Sequence, residues 1–378
     1  MRILIDATEI KLNRLFASIP IYISRYLSAI PMIERHNYVL LINPECRSFF
    51  SVEYPGFQLI SFKFRGWRKY WPFNPIYLYT LYKFNKFIIN NNIDTIFIPS
   101  DYPIYLQNKL KCNKVIVIHD LKGIKQSCNT IKNSIESYIA NKMYRRHLES
   151  ADRIIAISKY TKQDILTYFP HINEEKVHVI YNSVILAKEI QKPKLLNDRK
   201  FILYVNTLHR YKNIITLVKA FNTISNEIDH DLVIVGKSTQ YWENEIKGYI
   251  IKNKIDDRII HMQGLSNEEL RYLYENASLF VTPSLNEGFG FTPIEAAICK
   301  CPVICSIEEA LVDSTQGMLN YYYPAMDVYA LAAKIKNIIS NPPSSGKLKE
   351  ISLYFETLFS PFEQQRKINE VINDKKVY

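Results

Sequence analysis

Glycine is scarce in this chain, at 10 of 378 residues, where average usage of about 7% would give roughly 26. No G-x-G-x-x-G turn follows the first predicted strand, which argues against a nicotinamide-dependent oxidoreductase. No apolar run reaches the roughly 18–20 residues of a membrane-spanning helix. The opening MRILIDAT has neither an apolar h-region nor a small-residue cleavage site, so it reads as a strand and not as a signal peptide. A cytoplasmic protein is therefore expected. The six cysteines, at positions 46, 112, 128, 299, 301 and 305, form no C-x-x-C pair and no zinc spacing. They read as small buried residues of a reducing compartment. No motif for a bound metal and none for nucleic acid is present, so no metal, no other cofactor and no nucleic-acid partner is expected.

What is present suits two domains of about 150–200 residues each. The net charge of +11 is unevenly spread. Residues 1–195 hold 28 Lys+Arg against 15 Asp+Glu, a net of +13, and residues 196–378 hold 20 against 22, a net of −2. The first half therefore meets an anionic partner or surface, or presents a basic face to solvent. Short apolar runs alternate with amphipathic stretches. Strands are predicted at 3–5, 38–42, 95–98, 115–118, 153–157 and 177–180, with helices at 20–30, 76–89 and 130–148. A polar, Lys-rich stretch at 188–200 reads as a linker. The rhythm then restarts, with strands at 201–205, 232–235, 259–262, 279–281 and 303–305. Helices at 214–225, 241–252 and 268–275 lie between them, and a last helix covers 361–371. This β-α-β order predicts an α/β fold of two Rossmann-like domains, each a parallel sheet clothed by helices.

The segment PSLNEGFGFTPIEAA, residues 283–297, is the most informative. It follows a strand and opens a helix, so its loop falls at the carboxyl end of a parallel strand, where such sheets bind ligands. Gly288 and Gly290 let the backbone approach a ligand. The loop amides and the helix amino end offer an anion site suited to a diphosphate. Glu287 and Glu295 stand eight apart and either face one ligand or serve locally. Glu287 has a plain reading as a solvated loop acid, and Thr292-x-x-Glu295 matches a capping box. Arg210 and Lys212, in the loop after strand 201–205, read on their own as a solvated loop pair. His119, at the end of strand 115–118, reads on its own as a structural histidine. Asp6 and Asp120 read as turn-shaping residues.

The Glu-(seven residues)-Glu segment, PSLNEGFGFTPIEAAICKCPVICS, resembles the signature of family 4 glycosyltransferases of the GT-B fold. DDRIIHMQGLSNEELRYLYENASLFVTPS, YVNTLHRYKNIITLVKAF, DLVIVG, VIVIHDL and ADRIIAISKYTKQDI continue the resemblance across most of the chain. It implies two Rossmann-like domains facing each other across a cleft. Residues 1–190 would form the acceptor-side domain and 191–355 the donor-side domain, with 356–378 as a helix packing back toward the first. The activity implied is transfer of a hexosyl or deoxyhexosyl unit, with retention, from a nucleoside diphosphate sugar. The acceptor would be a glycan or lipid-linked glycan in cell-surface polysaccharide assembly such as capsule or O-antigen. In the roles carried over, Glu287 and His119 serve the catalytic centre. Glu295 holds the ribose, Lys212 and Arg210 the diphosphate, and Gly288, Phe289, Gly290 and Phe291 offer backbone amides. The departing phosphate accepts the acceptor's proton, so Glu287 is a positioning and electrostatic group.

The chain departs from the family pattern in several places. Ser18-Ile19-Pro20 stands where a Gly-x-Gly loop is usual, Tyr211 where an arginine precedes the lysine, and Asn182-Ser183 where Asn-Gly is usual. Lys300 replaces a common glycine, and Asp313 stands for a later glutamate. An inactive scaffold of the same fold and a nucleotide-sugar epimerase remain as alternatives. Finally, Lys63-Phe64-Arg65-Gly66-Trp67-Arg68-Lys69-Tyr70-Trp71 mixes cations and aromatics densely. It suits a peripheral contact with an anionic membrane face, or an aromatic loop packed on its own domain.

Overall fold

The computed structural model describes residues 1–15, 18–62, 75–101, 110–125, 131–308 and 310–374. The chain divides into two compact units, one of residues 1–183 with the C-terminal segment from Pro361, the other of residues 184–360.

The first unit carries a seven-stranded sheet. Its strands are β1 (Ile3–Asp6), β2 (Tyr38–Leu41), β3 (Gln58–Ile60), β4 (Thr95–Ile98), β5 (Asn113–Ile118), β6 (Arg153–Ala156) and β7 (Val177–Val179), in the order β3-β2-β1-β4-β5-β6-β7. The second carries β8 (Phe201–Val205), β9 (Asp231–Val235), β10 (Ile259–Met262), β11 (Leu279–Thr282), β12 (Val303–Ser306) and β13 (Asn320–Tyr322), in the order β10-β9-β8-β11-β12-β13. Every pairing is parallel, as at Ile3↔Tyr38 and Ile3↔Thr95, or Ile202↔Leu232 and Leu279↔Ile202. This is the doubly wound Rossmann order in both units. The central strands β1, β4, β9 and β11 are buried along their whole length because helices cover both faces, which is why such strands read as near-continuous apolar runs.

Each predicted strand is present, and two more are found. β3 is half-exposed and β13 carries only Asn320, Tyr321 and Tyr322. Short edge strands lack the apolar run that marks a buried one. The helices Val328–Ser340 and Ser345–Leu358 also went unpredicted. The predicted helix at 241–252 begins as a π-helical turn, Trp242–Ile246, before continuing as Lys247–Lys252. The core of the second unit packs Ile202, Tyr204, Leu232, Ile234, Leu279 and Val281 against the helix Ile214–Ile224 and Trp242. In the first unit the helix Pro361–Asn373 buries Ile368, Val371 and Ile372, and Tyr26 donates to Asn369 Oδ1 at 3.0 Å. Cys46, Cys112, Cys299, Cys301 and Cys305 are free thiols. Among the described residues no helix is long and apolar enough to cross a membrane.

Candidate functional site

In the second sheet the strand order turns back between β8 and β11. Loops leaving the carboxyl ends of such neighbours diverge and open a crevice, the usual ligand position of this architecture. The β8 loop, 206–213, carries Arg210 and Lys212. The β11 loop, 283–290, carries Glu287 to Gly290.

The two loops are bound together. Leu285 N–H donates to Tyr211 O at 2.8 Å. The Asn213 amide donates to Pro283 O at 3.0 Å and to Ala325 O at 2.9 Å. Asn213 does this from a left-handed φ of 54°, which asparagine tolerates better than most residues. Gly236, just after β9, is required beside them: a Cβ there would stand 2.1 Å from the carbonyl oxygen of Asn206. Gly290 precedes the helix Phe291–Ile298 with φ +83°, and a Cβ on it would meet Leu311 Cδ2 at 2.7 Å. Here scarce glycines are retained where a side chain cannot fit.

At the centre, Lys212 Nζ stands 2.5 Å from Glu287 Oε1. The two residues are 6% and 9% exposed. Asn206 Nδ2 donates to the same carboxylate oxygen at 3.2 Å, and Lys212 Nζ also reaches Asn286 O at 3.5 Å. Two charges removed from water are tolerable only with such mutual neutralisation and further hydrogen bonds. The negative charge is felt below the pair: Tyr204 is pushed well above the ordinary phenol range, first by burial and then by Glu287. The Cys305 thiol is raised by the same two causes.

Glu295 is the fifth residue of its helix, whose N-cap is Gly290. Thr292 therefore lies inside the helix and forms no capping box with it. Instead Tyr274, from the preceding helix Asn267–Asn276, donates its hydroxyl to Glu295 Oε2 at 2.9 Å. Burial first, and the Glu295 charge next, keep that phenol protonated. Phe289 is buried, with its ring centroid 5.0 Å from Phe291 and 5.7 Å from Phe359, and so anchors the loop beside Gly288. Arg210 shares the Lys212 loop but points elsewhere: its guanidinium lies 4.6 Å from the Tyr241 ring centroid and pairs with Glu245.

His119 belongs to the first unit, at the carboxyl end of β5. Its backbone N–H donates to Asp101 Oδ1 at 3.0 Å, and its Nε2 lies 3.1 Å from Pro99 O. A carbonyl only accepts, so Nε2 bears the proton and Nδ1 is left as an acceptor. Burial lowers the His119 pKa, so the ring is neutral at pH 7. The edge of Tyr22 packs on it with centroids 5.0 Å apart. Asp6 Oδ1 accepts from Thr8 N at 3.0 Å and Thr8 Oγ1 at 2.7 Å, the turn-shaping role expected of it. Ser18-Ile19-Pro20 form the first turn of the helix Ser18–Ala29, where proline's missing N–H goes unused. The stretch Lys63 to Trp71 lies outside the described residues.

The sequence reading overlooked Asn206, Tyr274 and Asn213. Asn206 had a signal, a polar residue at the carboxyl end of a central strand. Tyr274 had none, since it meets Glu295 only through helix packing.

Two doubly wound sheets, with a buried Lys–Glu pair at a switch point of the second, define a two-unit α/β protein of the GT-B kind. Residues 187–352 match the model described as "Glycosyl transferases group 1", and residues 32–188 match "Glycosyltransferase Family 4". The chain belongs to family 4 of the glycosyltransferases. It is 29% identical over 239 residues to the O-antigen chain mannosyltransferase RfbU of Salmonella typhimurium, a match covering 62% of this chain and 63% of that protein. It is 25% identical to the O-antigen chain mannosyltransferase B of Escherichia coli, over 61% of this chain and 62% of that one. The match thus spans less than two thirds of either relative. Among solved structures, a glycosyltransferase from Rickettsia africae superposes with a TM-score of 0.73 at 19% identity, covering 99% of both chains. HepE of Anabaena, solved in complex with UDP, superposes at 0.71 and 14% identity, covering 98% of this chain and 99% of that one.

Proposed function

We propose that the protein transfers a hexosyl or deoxyhexosyl unit, with retention, from a nucleoside diphosphate sugar to a glycan or lipid-linked glycan during cell-surface polysaccharide assembly. The observation that carries this reading is the buried Lys212–Glu287 pair, 2.5 Å apart, between the two loops of the switch point. Before donor binds, Glu287 neutralises Lys212. A diphosphate arriving at the loop amides takes over the lysine as its counter-charge. Glu287, steadied by the Asn206 amide, is then turned toward the sugar and stabilises the positive charge that develops at the anomeric carbon. Lys212 stabilises the leaving diphosphate as the bond to the sugar breaks. Glu295, oriented by Tyr274, accepts hydrogen bonds from the ribose hydroxyls. His119, neutral and with Nδ1 as acceptor, receives a hydroxyl of the donor sugar. Arg210 completes the diphosphate contact by leaving Glu245. The relatives, O-antigen chain mannosyltransferases, support a hexosyl unit and a polysaccharide product. In this reading the protein works at the cytoplasmic face of a membrane, with the cationic Lys63 to Trp71 stretch near anionic lipid, and uses no metal.

The test is calorimetric titration of the full chain with GDP, UDP and their sugar derivatives, beside Glu295→Ala and Lys212→Ala. Selective binding of one nucleotide, weakened by both substitutions, is expected. Incubation with that donor and a lipid-linked glycan should then give a product whose anomeric configuration, read by NMR, matches the donor's. An inverted anomer overturns the retaining mechanism, and folded protein that binds no nucleotide overturns the whole reading.

A further inference from the structure

The helix Pro75–Asn90 of the first unit has an unusual outward face. Its inner side is formed by Leu81, Phe84 and Ile88, all buried. On the other side stand Leu78, Tyr82 and Ile89, exposed by 43, 62 and 58%. Steps of four and seven residues align these three on one stripe. Along its flank lie Tyr79, Lys83 and Lys86, also exposed, with the Lys83 ammonium 4.5 Å from the Tyr79 ring centroid. The helix holds no acidic residue. A helix meeting only water would carry charged and polar groups on this side.

An apolar stripe edged by tyrosine and lysine matches the chemistry of a membrane–water interface. Apolar side chains enter the acyl boundary, tyrosine sits at headgroup depth, and lysine stems lie along the apolar layer with their ammonium groups on lipid phosphates. Charge selects this occupant over a second copy of the chain. The twelve residues just before the helix include Lys63, Arg65, Arg68 and Lys69 and no acid, and residues 1–195 carry the net +13. Two such faces meeting each other would oppose like charges.

We propose that the Leu78, Tyr82 and Ile89 stripe, with Lys83 and Lys86, docks the first unit on an anionic bilayer. For its purpose this rests on the lipid-linked acceptor proposed above; its chemistry does not depend on it. The docking would set the depth at which the acceptor-side unit meets a headgroup sugar.

The test sediments the full chain with phosphatidylcholine vesicles, with and without 30% phosphatidylglycerol (about one third anionic headgroups). Each basic residue near such a surface is worth about fivefold in partitioning, so Lys83→Gln/Lys86→Gln is expected to weaken binding to the anionic vesicles about 25-fold. Tyr82→Ser/Ile89→Ser should weaken it with the charge intact, and neutral vesicles should bind little. Circular dichroism and nucleotide affinity, unchanged in both variants, show that the fold is kept. Wild-type partitioning by both variants overturns the proposal. If those variants bind normally while Arg65→Gln/Arg68→Gln/Lys69→Gln does not, the membrane reading stands and this helix face is not its contact. A wild-type chain that ignores anionic vesicles overturns the docking while leaving sugar transfer untouched, and a protein that sediments as a dimer only while the stripe is intact assigns the face to self-association.

Discussion

Removing one member of the Lys212–Glu287 pair is expected to cost far more than removing both. At 2.5 Å and an effective dielectric constant of about 20, the gross attraction is on the order of 7 kcal/mol. Desolvation offsets most of it, because both residues are nearly enclosed. Lys212→Met keeps the aliphatic stem but leaves Glu287 without its counter-charge, which should destabilise the second unit by about 3–5 kcal/mol. Glu287→Gln alone should cost a similar amount by stranding the ammonium. Lys212→Met/Glu287→Gln removes both charges and should cost less than either single change, so the coupling in the double-mutant cycle should be about 3 kcal/mol or more. The three tryptophans are Trp67, Trp71 and Trp242. A Trp67→Phe/Trp71→Phe background therefore leaves buried Trp242 to report urea unfolding of the second unit alone. Single effects that add to the double within about 0.5 kcal/mol would refute the idea of a coupled buried pair. In the same proteins, Lys212→Met should weaken nucleoside diphosphate binding roughly 10- to 100-fold, the worth of a charge-assisted contact. A nucleoside lacking the diphosphate should bind wild type and variant alike.

Tyr274→Phe removes the hydroxyl that orients Glu295 and should lower nucleotide affinity about fivefold, in line with roughly 1 kcal/mol for one hydrogen bond; calorimetry that finds no change would detach Tyr274 from the ribose site. Gly236→Ala puts a methyl 2.1 Å from the Asn206 carbonyl oxygen and should cost about 3 kcal/mol in stability, with donor affinity falling too because Asn206 steadies Glu287. His147 is buried and its pKa is lowered by that burial to about 3. The unfolded chain then binds the extra proton below the ordinary value of about 6.5, so stability is lost as pH falls through that value. Between pH 6.5 and 4.5 the loss from this one residue is about 2–3 kcal/mol, and a His147→Gln variant measured by chemical denaturation should lack that part of the slope.

Much of this architecture could be read from the residues because buried parallel strands are unbroken apolar runs, as in Phe201 to Val205 or Thr95 to Ile98. The edge strands β3 and β13 escaped because they carry no such run, whereas the edge strands β7 and β10 kept enough apolar residues to be read. Within the site, the loop 283–290 was recognisable because its Gly-Phe-Gly run sits between a strand and a helix. The partnership of Lys212 with Glu287 was not, since only the tertiary fold brings together residues 75 apart. Local pattern also misled: Thr292-x-x-Glu295 has capping-box spacing, yet Gly290 caps the helix two residues too early for it, and a tyrosine 21 residues upstream takes the carboxylate. The Arg210–Glu245 pair shows the same limit, because two cations of one short turn find different acids through side-chain direction, which spacing does not encode.

The return of the chain to its first unit sets the order in which this protein can mature. Residues 361–373 supply Ile368, Val371 and Ile372 to a core otherwise made by residues 1–183, and the segment is synthesised only after all of the second unit. A nascent chain released early would hold a first unit with an open apolar flank where that helix belongs, a natural docking point for a chaperone. The second unit, continuous in sequence, can finish while the first still waits. Proteolytic clipping near residue 360 would therefore unsettle the far end of the chain and not its neighbour. An expression fragment of the first unit would need residues 361–373 rejoined to residue 183 by a short linker.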